Sequence, residues 1–167
     1  MEVYLASAAG LLSWCGKWRK IPTPLAHPTL LAACGADVAL ADSVNRLLYR
    51  QGRISTLPPG VEVLRCWRNQ LLTLSSETNC LTLYDAHDYP LVTSPAGIRP
   101  CDCAVVDCQV IVCGCEDGCL HIFSLPDLRE IAAYPVPGCP MRVAADGGVL
   151  TCLSLLSPDP PQTLLFR

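Results

Sequence analysis

The chain has 167 residues, 51% hydrophobic and 16% charged, a composition that supports a buried core and excludes a disordered tract. Fifteen prolines and eleven glycines interrupt it too often for long helices, and no apolar run approaches the roughly 18 residues of a membrane span. The formal charge of −3 argues against nucleic acid as the main partner. Residues 1–68 carry eight Lys or Arg against four acids, and residues 69–167 four Arg against eleven acids, so the chain is polarised along its length.

In chain order, the first apolar segments predict strands at Val3–Ser7, Gly10–Trp14 and Arg19–Ile21. From Leu30 onward the pattern becomes a four-strand unit. Strand a is a short apolar run (Leu30–Cys34, Val63–Trp67, Cys103–Val106, Arg142–Ala145). After a tight turn, strand b follows (Val38–Ala41, Leu71–Ser75, Val110–Gly114, Val149–Leu153). The b–c turns carry Asn45, Asn79 and Gly118, residues that tolerate left-handed backbone. Strand c ends in an aromatic at Tyr49, Tyr84 and Phe123, and strand d is Ile54–Leu57, Leu91–Ser94 and Ile131–Tyr134. Proline and glycine then mark each d-to-a connection, where an outer strand ends. Gln162–Phe166 is a further candidate strand c.

These elements repeat. Leu72–Tyr84 (LTLSSETNCLTLY) returns 39 residues later as Ile111–Phe123 (IVCGCEDGCLHIF), and Val38–Leu47 fits the same frame at a spacing of 34. A period of 34 to 41 residues built from short strands is the signature of a propeller array. The expectation is an all-β β-propeller of about five short blades of 3–4 antiparallel strands, with units near residues 1–27, 28–60, 61–97, 98–138 and 139–167. Gly114 to Val136, GCEDGCLHIFSLPDLREIAAYPV, resembles the b–c–d portion of a WD-repeat blade, and Tyr84-Asp85 keeps the aromatic-Asp pair that closes strand c in such blades. The resemblance implies a propeller of the broad WD-repeat or YVTN-like kind. The first unit lacks strand a and the last lacks strand d. This leaves two forms, a closed small ring or an open half-propeller arc completed by a second copy.

Twelve cysteines beside an N-terminus whose Glu2 suits a signal peptide poorly suggest reduced thiols and a cytoplasmic location. Cys101, Cys103, Cys113 and Cys115 form two C-x-C pairs. If strands a and b pair symmetrically about Cys108, these four thiols share a face and can hold zinc; a two-residue loop sends the pairs to opposite faces. Acids recur at the b–c turns (Asp42, Glu77, Glu116, Asp117, Asp159), a ring suited to a basic peptide or to calcium. Trp18 and Arg19 lie in a basic cluster with Lys17, Lys20, Arg50 and Arg53, suited to an acidic protein patch, with an arginine stacked on the indole. No Ser-His-Asp, Gly-x-Ser-x-Gly, P-loop or dinucleotide fingerprint is present. The preferred reading is a non-catalytic binding or scaffold module that acts through protein–protein contacts and self-associates. The alternative is an enzyme or small-molecule or metal binder working at a central channel.

Overall fold

The computed structural model describes residues 3–7, 10–34, 37–114, 116–146, 149–155 and 162–165. They form five antiparallel sheets of three or four strands and, among the described residues, no helix. The first sheet holds β1 (Val3–Ser7), β2 (Gly10–Trp14) and β3 (Trp18–Ile21). The second holds β4 (Leu30–Cys34), β5 (Asp37–Asp42), β6 (Leu47–Arg50) and β7 (Arg53–Thr56). The third holds β8 (Val61–Trp67), β9 (Gln70–Ser75), β10 (Cys80–Tyr84) and β11 (Pro90–Pro95). The fourth holds β12 (Asp102–Val106), β13 (Gln109–Cys113), β14 (Cys119–Ser124) and β15 (Glu130–Pro135). The fifth holds β16 (Cys139–Asp146), β17 (Val149–Leu155) and β18 (Gln162–Leu165). Every strand pairs with its sequence neighbour, so each sheet is a meander set by local turns. This is the propeller pattern that the repeat predicts.

The turns obey backbone sterics. Gln51-Gly52 links β6 to β7 with both residues at positive φ (51° and 76°), as a two-residue primed turn requires. The b–c turns, four residues long in the second and third sheets and five in the fourth, end on a left-handed residue: Arg46, Asn79 and Gly118, at φ 57°, 55° and 70°. Asn79 and Gly118 match the sequence expectation, whereas in the second sheet the left-handed residue is Arg46 and not Asn45. The true spacing between these units is 33, from Leu47 to Cys80, one less than the alignment used. Asn45 serves the turn through its side chain instead, donating Nδ2–H to Asp42 Oδ2 at 2.8 Å.

Apolar side chains alternate along each inner strand and fill the junctions between sheets. Leu72 and Leu74 of β9 pack with Cys103, Val110 and Phe123 of the fourth sheet, while Leu71 packs the other way, against Ala41 and Leu48 of the second. Ile111 and Leu120 pack against Val143 and Leu150 of the fifth sheet. Leu11 and Leu25 meet Leu40 between the first and second sheets. Each fully buried leucine contributes about 1.5–3 kcal/mol. Among the described residues these four clusters join only sheets consecutive in the chain, and none joins the first sheet to the fifth. The outer strands β3, β7, β11 and β15 are largely exposed.

Candidate functional site: the channel of inner strands

Strands β4, β8, β12 and β16 lie side by side and line a common channel. Its mouth is a polar cavity of about 160 Å³ between Leu30, Glu62, Arg65, Cys101, Asp102 and Arg142. A second cavity of about 440 Å³ adjoins it at Leu31, Leu64 and Arg65, and small residues line much of it, among them Ala32, Ala33, Ala104, Val105, Ala144 and Ala145. The small side chains follow from the packing: four inner strands that converge leave room for alanine and valine.

Asp102 organises the mouth. It is buried and its Oδ1 accepts from Arg65 Nη2 and from the Cys103 N–H, each at 2.9 Å. Its Oδ2 accepts from the Val143 N–H at 3.1 Å. Arg65 Nε also donates to the Cys103 carbonyl at 2.9 Å. One carboxylate thus joins β8, β12 and β16. Arg142 Nη1 donates to the Cys101 carbonyl at 3.3 Å. Sequence reasoning missed Arg65, Asp102 and Arg142 as channel residues. A visible signal was charge inside strands that are otherwise apolar.

Cys103 and Cys113 do not share a face. The loop between β12 and β13 is the two-residue Asp107-Cys108, with Val106 opposite Gln109, so Cys103 faces Val112 and Asp102 faces Cys113. Cys103 enters the core toward the third sheet and Cys113 the core toward the fifth. Burial raises the Cys103 thiol to about 12. Cys115 lies outside the described residues. Among those described, no group of three or more His, Cys, Asp or Glu comes together to hold a metal ion. Among the described residues nine cysteines are free thiols, whereas Cys66 is disulfide-bonded, an exception to the reduced set expected.

The acidic turns do share one face with the d–a connections, to which they are hydrogen-bonded: Ser76 N–H donates to the Gly60 carbonyl and Glu116 N–H to the Ile98 carbonyl, both at 3.0 Å. Among the described residues they do not form a free ring of charge. Asp42 is buried, and its carboxylate accepts from the His27 N–H at 3.0 Å, the Asn45 N–H at 2.9 Å and Asn45 Nδ2. It is a turn-building residue, which corrects its assignment to an exposed rim. Glu77 is exposed. Glu116 pairs with Arg99 at 3.3 Å. Asp117 engages His121 Nε2 at 2.9 Å, and Glu130 engages Nδ1 of the same ring at 2.7 Å. Asp159 lies outside the described residues.

Desolvation pulls the Asp42 carboxyl upward, but hydrogen bonds from Asn45 and His27 outweigh it and hold the group below its ordinary 3.8. A depressed carboxylate stabilises the fold above its unfolded pKa and loses that contribution as pH falls through the lower folded value. Asp42→Ala is expected to cost about 1–3 kcal/mol at neutral pH. Its deficit relative to the parent should shrink in urea titrations below pH 3.8, the ordinary value. A deficit independent of pH would contradict this assignment.

On the opposite side, Trp18 is 51% exposed and stacks at a tilt on Trp14, ring centroids 5.3 Å apart. Arg19 is exposed beside it. Arg50, expected in the same basic cluster, is buried at 1% exposure. The cation–π contact in the structure is elsewhere: Arg68 lies 4.5 Å over the Trp67 ring.

No family model matches the chain, and no curated protein matches it. Solved structures do. The computationally designed Ika4 protein aligns with a TM-score of 0.68 at 10% identity, over 84% of this chain and 91% of its own. The computationally designed Ika8 protein aligns at 0.71 and 11%, over 90% of this chain and 52% of its own, so this chain spans about half of it. Virginiamycin B lyase from Staphylococcus aureus, in a catalytically inactive form with quinupristin, aligns at 0.69 and 14%, over 99% of this chain and 67% of its own. At these identities the likeness is one of fold, and that fold is all-β and propeller-like.

Proposed function

We propose that the chain is a non-catalytic, propeller-type binding module that associates with a second copy of itself through the outer face of its first sheet. The observation that carries this reading is an exposed apolar surface on the first sheet. Leu11 of β2 packs toward the second sheet, so the register of the hairpins puts Leu5, Leu12, Trp14, Trp18 and Lys20 on the other side. Leu5 is 46%, Trp14 38% and Trp18 51% exposed. A cluster of two tryptophans and two leucines is the kind of surface that marks an interaction site. At the far end of the chain, Leu153 of β17 is likewise exposed, on the side opposite Leu150 and Cys152, which pack toward the fourth sheet. The basic first part and acidic second part of the sequence favour head-to-tail pairing of two copies.

Size-exclusion chromatography with light scattering, over a concentration series, tests the reading. A dimer is expected, shifting to monomer in Leu5→Glu and Trp18→Glu while the circular dichroism of the chain is retained. A parent protein that stays monomeric at every concentration, or a dimer indifferent to both substitutions, overturns it.

A further inference from the structure

We infer that Cys101 is a modification site for hydroperoxides at the channel mouth, with Cys113 as the thiol that resolves it into a disulfide within the fourth sheet. The two residues sit on adjoining strands. Cys101 N–H donates to the Cys113 carbonyl at 2.9 Å, and the two thiols are close enough for each to shift the titration of the other. Gly114 makes this arrangement possible. It lies at φ +87°, and a Cβ there would fall 2.0 Å from Cys101 Sγ, so the sulfur occupies space that any other residue would fill.

Access divides the two thiols. Cys101 is partly exposed and lines the polar cavity with Glu62, Arg65, Asp102 and Arg142, whereas Cys113 is fully buried. A small oxidant therefore meets Cys101 first. As a thiol, Cys101 donates to the Met141 carbonyl at 3.1 Å. The neighbouring Cys113 thiol lowers its pKa first; burial opposes this, the Arg142 charge lowers it further, and the Asp102 and Glu62 charges oppose without reversing the net downward shift. The Cys113 thiol is pushed the opposite way by Cys101 and by burial.

The chemistry balances. The Cys101 thiolate attacks the near oxygen of the peroxide, the O–O bond breaks, and the departing alkoxide takes a proton, leaving a sulfenic acid at Cys101. Cys113 sulfur then attacks Cys101 sulfur, the S–O bond breaks, and the oxygen leaves as water with the Cys113 proton. Two thiols lose two electrons in total, and the peroxide gains them. The exposed Cys15 is the internal control.

The test treats the full chain with hydrogen peroxide and maps its thiols by alkylation and mass spectrometry. The expected product is a Cys101–Cys113 linked peptide, additional to the disulfide already present at Cys66. Without peroxide, Cys101 should alkylate about tenfold faster than Cys15. In Cys113→Ser a sulfenic acid should persist at Cys101 and be trapped by dimedone, and in Cys101→Ser the Cys113 thiol should stay reduced. Equal alkylation of Cys101 and Cys15 overturns the proposal, as does a new disulfide that leaves out either Cys101 or Cys113. Both readouts come from the parent protein and do not depend on how the variants fold.

Discussion

Arg50→Ala is expected to destabilise the fold by about 3–5 kcal/mol, more than any surface charge would. Arg50 ends β6, yet its guanidinium crosses to the loops of the third sheet. Nη2 donates to the Asn69 carbonyl at 2.7 Å and Nη1 to the Asp85 carbonyl at 3.4 Å. Nη1 also lies 3.5 Å from Asp88 Oδ1, with the side chains 1% and 4% exposed. Truncation leaves a buried carboxylate without its counter-charge and removes donors from two carbonyls. Arg50→Met should be nearly as damaging because it restores packing but not charge. Adding Asp88→Asn to Arg50→Met should recover about 1 kcal/mol or more, since the orphaned charge is then gone. Equilibrium denaturation in urea measures all three. An Arg50→Ala midpoint close to that of the parent would show that the pair contributes little.

Asp102→Ala is the second large effect, with an expected cost of about 3 kcal/mol from the loss of charge-assisted hydrogen bonds. Both carboxylate oxygens accept, from Arg65 and Cys103 on one side and from Val143 on the other. Asparagine is therefore a poor substitute: whichever way the amide turns, its NH₂ faces an N–H donor. Hydrogen exchange at the Val143 amide is the local readout. It should quicken in Asp102→Ala and in Asp102→Asn, and unchanged exchange would deny that the carboxylate joins β12 to β16.

The strands were legible because their causes are local. Alternating apolar residues, aromatics closing strand c, and proline or glycine after strand d are read within a few positions, and the observed bounds differ from those readings by at most a few residues at either end. The site was less legible, and register explains why. Whether Cys103 and Cys113 share a face turned on one residue of loop length, because a side chain changes face with every step along a strand. Likewise the one-residue error in repeat spacing exchanged the roles of Asn45 and Arg46.

Sequence alone therefore determined the class of fold, the number of sheets and the order of strands, all of which follow from short-range periodicity and turn chemistry. Only the tertiary structure decided which charges are structural. Beside its local bonds from Asn45, Asp42 accepts from His27; Arg50 donates to Asn69 and Asp85; and beside its local bond from Cys103, Asp102 accepts from Arg65 and Val143. The distant partners lie from fifteen to forty-one residues away. A polar group at such a distance is matched by how sheets stack, and its burial is a property of the junction between sheets, which no local pattern encodes.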